Sequence, residues 1–169
     1  MLHPAALPVE RLMADCSVER TRRSGPGGQH RNKTETAVVI THGPTGVRAE
    51  ASERRSQAEN LAQAKFRLRL ELALAVRSSV AGGDLGLPSE LWRSRVAGER
   101  ISVSSSHDDF PAIVAEALDR LAAVDWSAPA AAERLGISTS QLVKLLKQEP
   151  RGLGMLNREQ AARGLRPYL

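Results

Sequence analysis

Residues 36–52 and the stretch after them constrain this chain more than any other part. TAVVITH at 36–42 is rich in β-branched residues and reads as a strand. GPTG at 43–46 has turn chemistry, and VRAEAS at 47–52 alternates as a strand returning from it. From Arg55 to about Ser79 the chain is rich in Ala, Leu, Gln, Glu and Arg. Leu61, Leu68, Leu72 and Val76 recur at helical spacing, with Ala64 and Ala75 near the same stripe; Arg67, Glu71 and Arg77 fall on the opposite face. Ser52 or Ser56 is placed to cap this helix. Sheet and helix each have one face to bury, so the expected class is α+β: a small sheet with a long helix packed on it. CSVERT at 16–21 alternates weakly and supplies a candidate first strand.

The second half changes character. VAGGDLGLPS at 80–89 has the composition of a connector, and a short strand is expected at Arg100–Val103. PAIVAEALDRLAAV at 111–124 opens with proline and continues as a helix. AAAERLG at 130–136 and STSQLVKLLKQ at 138–148 read as two short helices around Gly136, and NREQAARG as part of a last one. The expected organisation is a unit over residues 1–80, a linker over 81–106, and a small all-α C-terminal domain over 107–169. AAERLGISTSQLVKLLK has the outline of a helix-turn-helix. Leu135, Ile137, Leu142 and Leu145 face the core in that reading, and Gln141, Lys144 and Lys147 face outward. A plain helix-packing module fits the same letters.

The charge is uneven. Residues 107–169 contain equal numbers of basic and acidic side chains, so the net charge of +5 belongs to residues 1–106. A basic half suits a polyanionic partner, and equally a solvated basic surface. Aromatic residues are only 3% of the chain, which argues against a sheet that stacks bases on aromatic rings. Cys16 is the single cysteine, so no internal disulfide is available; it reads as a small apolar strand residue rather than a nucleophile. His3, His30, His42 and His107 show no ligand spacing, and neither a metal nor another cofactor is expected. Asp108 and Asp109, just ahead of a helix, read as helix-terminus chemistry rather than a metal pair. Trp92 and Trp126 read as buried anchors. No apolar run approaches a membrane span, and MLHPAALPVERLM lacks the pattern of a secretory signal, so a cytoplasmic location is expected.

The chemistry concentrates in RRSGPGGQHRNK at 22–33, which has no period and three glycines around a proline, and therefore reads as an exposed loop. Gly27 and Gly28 leave no side chain between backbone and substrate and permit positive φ. A backbone N–H presented in this way can donate to a developing oxyanion, an effect worth about 3–4 kcal/mol per donor. Gln29 adds an amide that donates and accepts; near neutrality it cannot serve as a general base, only orient or exclude water. Arg20, Arg22 and Arg23 before the glycines, and Arg31 and Lys33 after them, are placed for phosphates.

Taken together, S-G-P-G-G-Q-H-R-N-K-T, the A-V-V-I-T-H-G-P-T-G hairpin and the helix start Glu53-Arg54-Arg55-Ser56-Gln57 resemble the catalytic domain of class I peptide chain release factors. The resemblance covers residues 15–77, and its helix start is one residue longer here than the family's E-R-S-Q element. It implies that the loop enters the peptidyl-transferase centre and promotes attack of water on the ester joining peptide to tRNA. Gly27, Gly28 and Gln29 would be the catalytic residues, with Arg22, Arg23, Ser24, His30, Arg31, Asn32 and Lys33 on ribosomal RNA or tRNA. It also implies N-methylation of Gln29 by a glutamine methyltransferase. The partners implied are the ribosome, through large-subunit rRNA, and peptidyl-tRNA; a monomer is expected.

The short stretch ahead of the loop leaves no room for a codon-reading domain, so codon-independent release, as in ribosome rescue, is the expected activity. Short rescue-type relatives carry a basic C-terminal tail, whereas residues 107–169 are neutral and helical, which leaves the mode of ribosome recognition open. A non-catalytic ribosome or RNA binder is the alternative, and a DNA-binding regulator acting through residues 130–148 is a weaker one.

Overall fold

A computed structural model describes residues 2–21, 36–78 and 86–169. After a 3-10 turn at Pro4–Ala6 and helix α1 (Val9–Ala14) come strands β1 (Cys16–Thr21), β2 (Ala37–His42) and β3 (Arg48–Ala51), then the long helix α2 (Gln57–Ala75). The strands form an antiparallel sheet in the order β1-β2-β3, with Thr21 opposite Ala37 and Val38 opposite Ala51. The expected turn between β2 and β3 closes through Gly46, which has φ +69° and donates its N–H to His42 O at 2.8 Å. Gly43 N donates to Asp15 O at 2.8 Å, which ties the turn to the start of β1.

Ser56 is the residue that caps α2: its Oγ accepts from Glu59 N at 3.3 Å. Val38 and Ile40 of β2, with Ala49 and Ala51 of β3, share one buried core with Ala64, Leu68 and Leu72 of α2, as the apolar stripe requires. The stripe is nevertheless wider than its periodicity suggests. Ala73 and Arg69 are buried, Ala75 is exposed, and Leu61 and Val76 are only half-buried. Arg77, expected on the solvent face, turns inward and donates from Nη1 to Asp119 Oδ1 at 3.1 Å. The cause is a second layer on the far flank of α2.

That layer is built on α4 (Phe110–Ala122), the sequence's proline-led helix. Phe110, Ile113, Val114, Ala117, Leu118 and Leu121 form one buried stripe, and Pro111, Ala112, Ala115 and Arg120 are buried on the other sides, as expected of a core helix rather than a surface one. Around α4 lie α3 (Glu90–Ser94), α5 (Ala128–Leu135), α6 (Thr139–Lys147) and α7 (Pro150–Ala162), the last longer than its sequence cue. The described part of the stretch read as a connector holds α3 and a two-stranded hairpin, β4 (Val96–Ala97) with β5 (Arg100–Ile101). The strand expected at Arg100–Val103 stops at Ile101, and Ser102 N donates instead to Arg95 O at 3.0 Å. Trp92 is fully buried and donates from Nε1 to Leu135 O at 2.8 Å, whereas Trp126 is only half-buried. Apolar residues of α2, α4, α5, α6 and α7 belong to one continuous core.

Polar clips reinforce this packing. The buried Arg69 donates from Nε to Ala5 O at 3.1 Å and from Nη1 to Asp108 O at 2.7 Å. Arg151 at the start of α7 bonds Glu71 of α2 at 2.6 Å and Glu149 at 2.7 Å. His3 joins the amino-terminal turn to the end of α2. Its Nδ1 accepts from Ala5 N at 3.0 Å, and its Nε2 lies 3.1 Å from Val76 O. A carbonyl only accepts, so Nε2 carries the proton and the ring is held neutral. Burial lowers the His3 pKa, against the opposing pull of its bond to Val76 and of nearby Asp119. The unfolded chain therefore takes up a proton at His3 first, and stability linked to this residue is present above about pH 6.5 and is lost as pH falls below it. Urea unfolding at about pH 7.5 and about pH 5 is expected to show the wild type's advantage over His3→Ala shrinking at the lower pH; a constant advantage would contradict the buried neutral ring.

Candidate functional site

The pairing of Thr21 with Ala37 brings together the two ends of the β1–β2 connection. Arg22, Arg23, Ser24, Gly27, Gly28, Gln29, His30, Arg31, Asn32 and Lys33 all fall in this connection and lie outside the described residues. What the fold defines is the platform from which the connection departs and to which it returns. Arg20 is exposed in β1 on the departing side. On the returning side Thr36 is half-buried and held by a residue that sequence reading missed.

That residue is Asn60, in the second turn of α2 and fully buried. Its Nδ2 donates to Thr36 O at 2.7 Å and to Arg54 O at 3.0 Å, while its Oδ1 accepts from Arg54 N at 3.0 Å. One side chain thus joins the residue before β2, the turn at 53–55 and the first turns of α2. The same turn is gripped from its other side by Arg67, which pairs with Glu53 at 2.5 Å and donates to Glu50 O at 2.8 Å. The bond from Arg67 holds the Glu53 carboxyl below its ordinary pKa. Both partners of that pair are solvent-exposed, so it orients the turn more than it stabilises it. Arg54 and Arg55 stand exposed on the turn, beside the point where the chain re-enters the sheet. The signal for Asn60 was present in the letters: Asn60, Ala64, Leu68 and Leu72 recur every fourth residue, so a polar side chain heads the apolar row of α2.

The other candidates separate in space. Cys16 is half-buried with Sγ 3.2 Å from Leu12 O, and burial pushes its thiol pKa up, away from a reactive thiolate. His42 Nδ1 lies 2.8 Å from Thr45 Oγ1 in the hairpin turn. Asp109 occupies the cap position of α4 without capping it, because its carboxylate is taken by Arg95, with His107 Nδ1 at 3.5 Å. Among the described residues no group of three His, Cys, Asp or Glu side chains could hold a metal ion. No helix among them is long and apolar enough to cross a membrane.

The second candidate region comprises two short helices around a glycine. Gly136 ends α5 in the left-handed region at φ +67°, and Leu135, Ile137, Leu142 and Leu145 are buried behind the α5–α6 turn. Lys144 and Lys147 are exposed on α6, and Gln141 is half-buried.

Comparison with known proteins bears on the first region. A family model described as "RF-1 domain" matches residues 8–83, which takes in β1, β2, β3, α2 and the whole β1–β2 connection. The chain is similar to peptide chain release factor 1 of Acidiphilium cryptum (strain JF-5), with 48% identity over 75 residues; the match covers 44% of this chain and 21% of that protein. The chain thus spans about a fifth of the length of that relative.

The bonds of Asn60 generate a test independent of any activity. Asn60→Ala leaves two carbonyls and an N–H without this partner and is expected to cost about 2–4 kcal/mol in urea unfolding. Asn60→Asp turns the donor toward two carbonyls into a third acceptor and is expected to cost at least as much near neutral pH. A change below about 0.5 kcal/mol in both variants would show that the site is not anchored this way.

Proposed function

We propose, from the match of residues 8–83 to the RF-1 domain model and the similarity to a peptide chain release factor 1, that this protein hydrolyses peptidyl-tRNA on the ribosome. The observation that carries the reading is the place of Gly27-Gly28-Gln29 within the matched domain. Gln29 lies midway in sequence between Thr21 and Ala37, the two ends of a connection that meet in one strand pair. Half of such a connection, fully extended, spans on the order of 25 Å. A folded domain of this size thereby has a means of delivering a main-chain amide into a recessed site.

In the proposed reaction water attacks the ester carbonyl carbon. A bond forms from the water oxygen to that carbon, the bond from carbon to the tRNA 3′ oxygen breaks, and a water proton ends on the 3′ hydroxyl. The Gln29 N–H donates to the oxygen that gains negative charge, either on the tetrahedral carbon or on the leaving 3′ oxygen. Gly27 and Gly28 supply the backbone freedom and the clear approach. The Gln29 side chain orients or excludes water, and it is the position for N-methylation by a glutamine methyltransferase. Arg22, Arg23, Ser24, His30, Arg31, Asn32 and Lys33 meet phosphates and sugars of large-subunit rRNA and tRNA. The finer reading, that release needs no stop codon, rests on resemblance to the short rescue-type members of the family.

One assay tests both levels. Ribosomes holding peptidyl-tRNA are programmed with a stop codon, a sense codon or a truncated mRNA, and peptide release is followed over time. Release on truncated mRNA that equals or exceeds release at a stop codon supports the rescue reading, and release confined to stop codons replaces it with codon-directed termination. Gly28→Ala is expected to slow release by on the order of 100-fold, and Gln29→Ala to abolish most of it. Release untouched by Gly28→Ala would exclude this use of the loop.

A further inference from the structure

Residues 107–169 are neutral by count, but the neutrality is not evenly distributed once folded. Five of their eight carboxylates lie beside arginines, whereas Asp108, Asp125 and Glu133, like Arg134, Arg158 and Arg166, enter no ion pair among the described residues. Asp109 pairs with Arg95, Asp119 with Arg77, Glu149 with Arg151, and Glu159 with Arg163, while Glu116 faces Arg120 and accepts from Ser89. Among the described residues Lys144 and Lys147 form no ion pair and are exposed on α6. They are three residues apart, on neighbouring turns of one helical face. No carboxylate side chain occurs within α6, whose sequence is TSQLVKLLK.

The surroundings shape this face into a ridge between two grooves. On one side the β4–β5 hairpin is joined to the start of α6, where Ser138 N donates to Glu99 O at 3.1 Å. The groove between them is lined by Ser102, Gln141, Lys144 and Gln148 among others. The groove on the other side is lined by Thr139, Ser140, Lys144, Lys147 and Tyr168 among others. Tyr168 is held there by Asn157, which donates to Tyr168 O at 3.0 Å and accepts from Tyr168 N at 2.8 Å. Lys144 lines both grooves, and apart from the two lysines every polar side chain in them is an uncharged hydroxyl or amide.

We propose that the α6 ridge is a second RNA-docking surface, which takes the sugar-phosphate backbone of double-helical RNA in the grooves flanking Lys144 and Lys147. Ammonium groups suit phosphates as point charges, and hydroxyls and amides suit the 2′-hydroxyls that line the shallow groove of an A-form helix. Contacts of this kind read shape rather than sequence, which fits a face that presents no arginine for bidentate base recognition. RNA is favoured over DNA because α6 shares one core with α2 and is carried wherever residues 8–83 dock. In this respect the inference rests on the ribosomal reading of the first site.

The test uses the full chain and a fluorescently labelled RNA duplex of about 16 base pairs, the span of a double-stranded RNA contact. Fluorescence anisotropy is measured across a salt series for the wild type and for the variant with Lys144→Glu and Lys147→Glu together. Both side chains are exposed, so the variant is expected to fold, and circular dichroism checks that it does. The variant is expected to weaken binding at least about tenfold and to lower the salt slope by about two. Unchanged affinity in the variant, no binding by the wild type, or equal or tighter binding of a DNA duplex of the same sequence would each overturn the proposal. Peptide release by the same preparations separates the two readings. A wild type that releases peptide while the lysine variant binds RNA normally loses only the α6 surface. A wild type that releases none loses the hydrolase reading, whatever the RNA result.

Discussion

Helix α2 has to satisfy two apolar partners at once, the sheet on one flank and the helical layer built on α4 on the other. A helix of 19 residues in that position cannot keep all its polar side chains in water. The fold resolves this by giving each inward polar group a specific partner. Arg69 spends its donors on carbonyls of Ala5 and Asp108, Arg77 meets Asp119, and Asn60 meets Thr36 and Arg54. A buried charge or amide without such partners costs several kcal/mol, so these contacts also specify which surfaces can pack on α2. No buried side-chain nitrogen or oxygen among the described residues lacks a hydrogen-bond partner.

The same arrangement gives the first site its mechanical character. Paired strands return the chain to the point it left, and Asn60 pins the returning end to the helix that packs on the sheet. Chemistry that depends on placing one backbone amide gains from a base whose two ends are anchored in the core. The helical half bears on this from the far side of α2, through the same core and through the Arg151 bridge to Glu71. The two halves therefore present their surfaces to a partner in a set relation, and a docking contact on α6 would restrict where the β1–β2 connection can reach.

Electrostatics show why a residue count is a poor guide to a surface. The helical half has no net charge, yet five of its eight acids sit beside arginines, two of which, Arg77 and Arg95, come from elsewhere in the chain. An arginine's planar fork matches a carboxylate, whereas a lysine's single ammonium is easily left to solvent. Lys144 and Lys147 stand outside that pairing, and they coincide with the two grooves along α6.

By itself the sequence determined whatever is local. The strand at 37–42, its turn over 43–46, a serine cap ahead of the long helix and the Gly136 stop follow from side-chain branching, capping and backbone freedom over a few residues, whereas the short helices Val9–Ala14 and Glu90–Ser94 left no such signal. The glycine-rich loop and its flanking cations were legible in the same way, as a run of letters. Tertiary structure alone decided how many faces each helix buries, because periodicity reports one stripe and cannot count the layers that will cover a helix. It turned α4 into a helix enclosed on every side and drew Arg77 away from the solvent face. It also gave Asn60 its role, since the residues that it joins are up to 24 positions apart and meet only when sheet and helix pack.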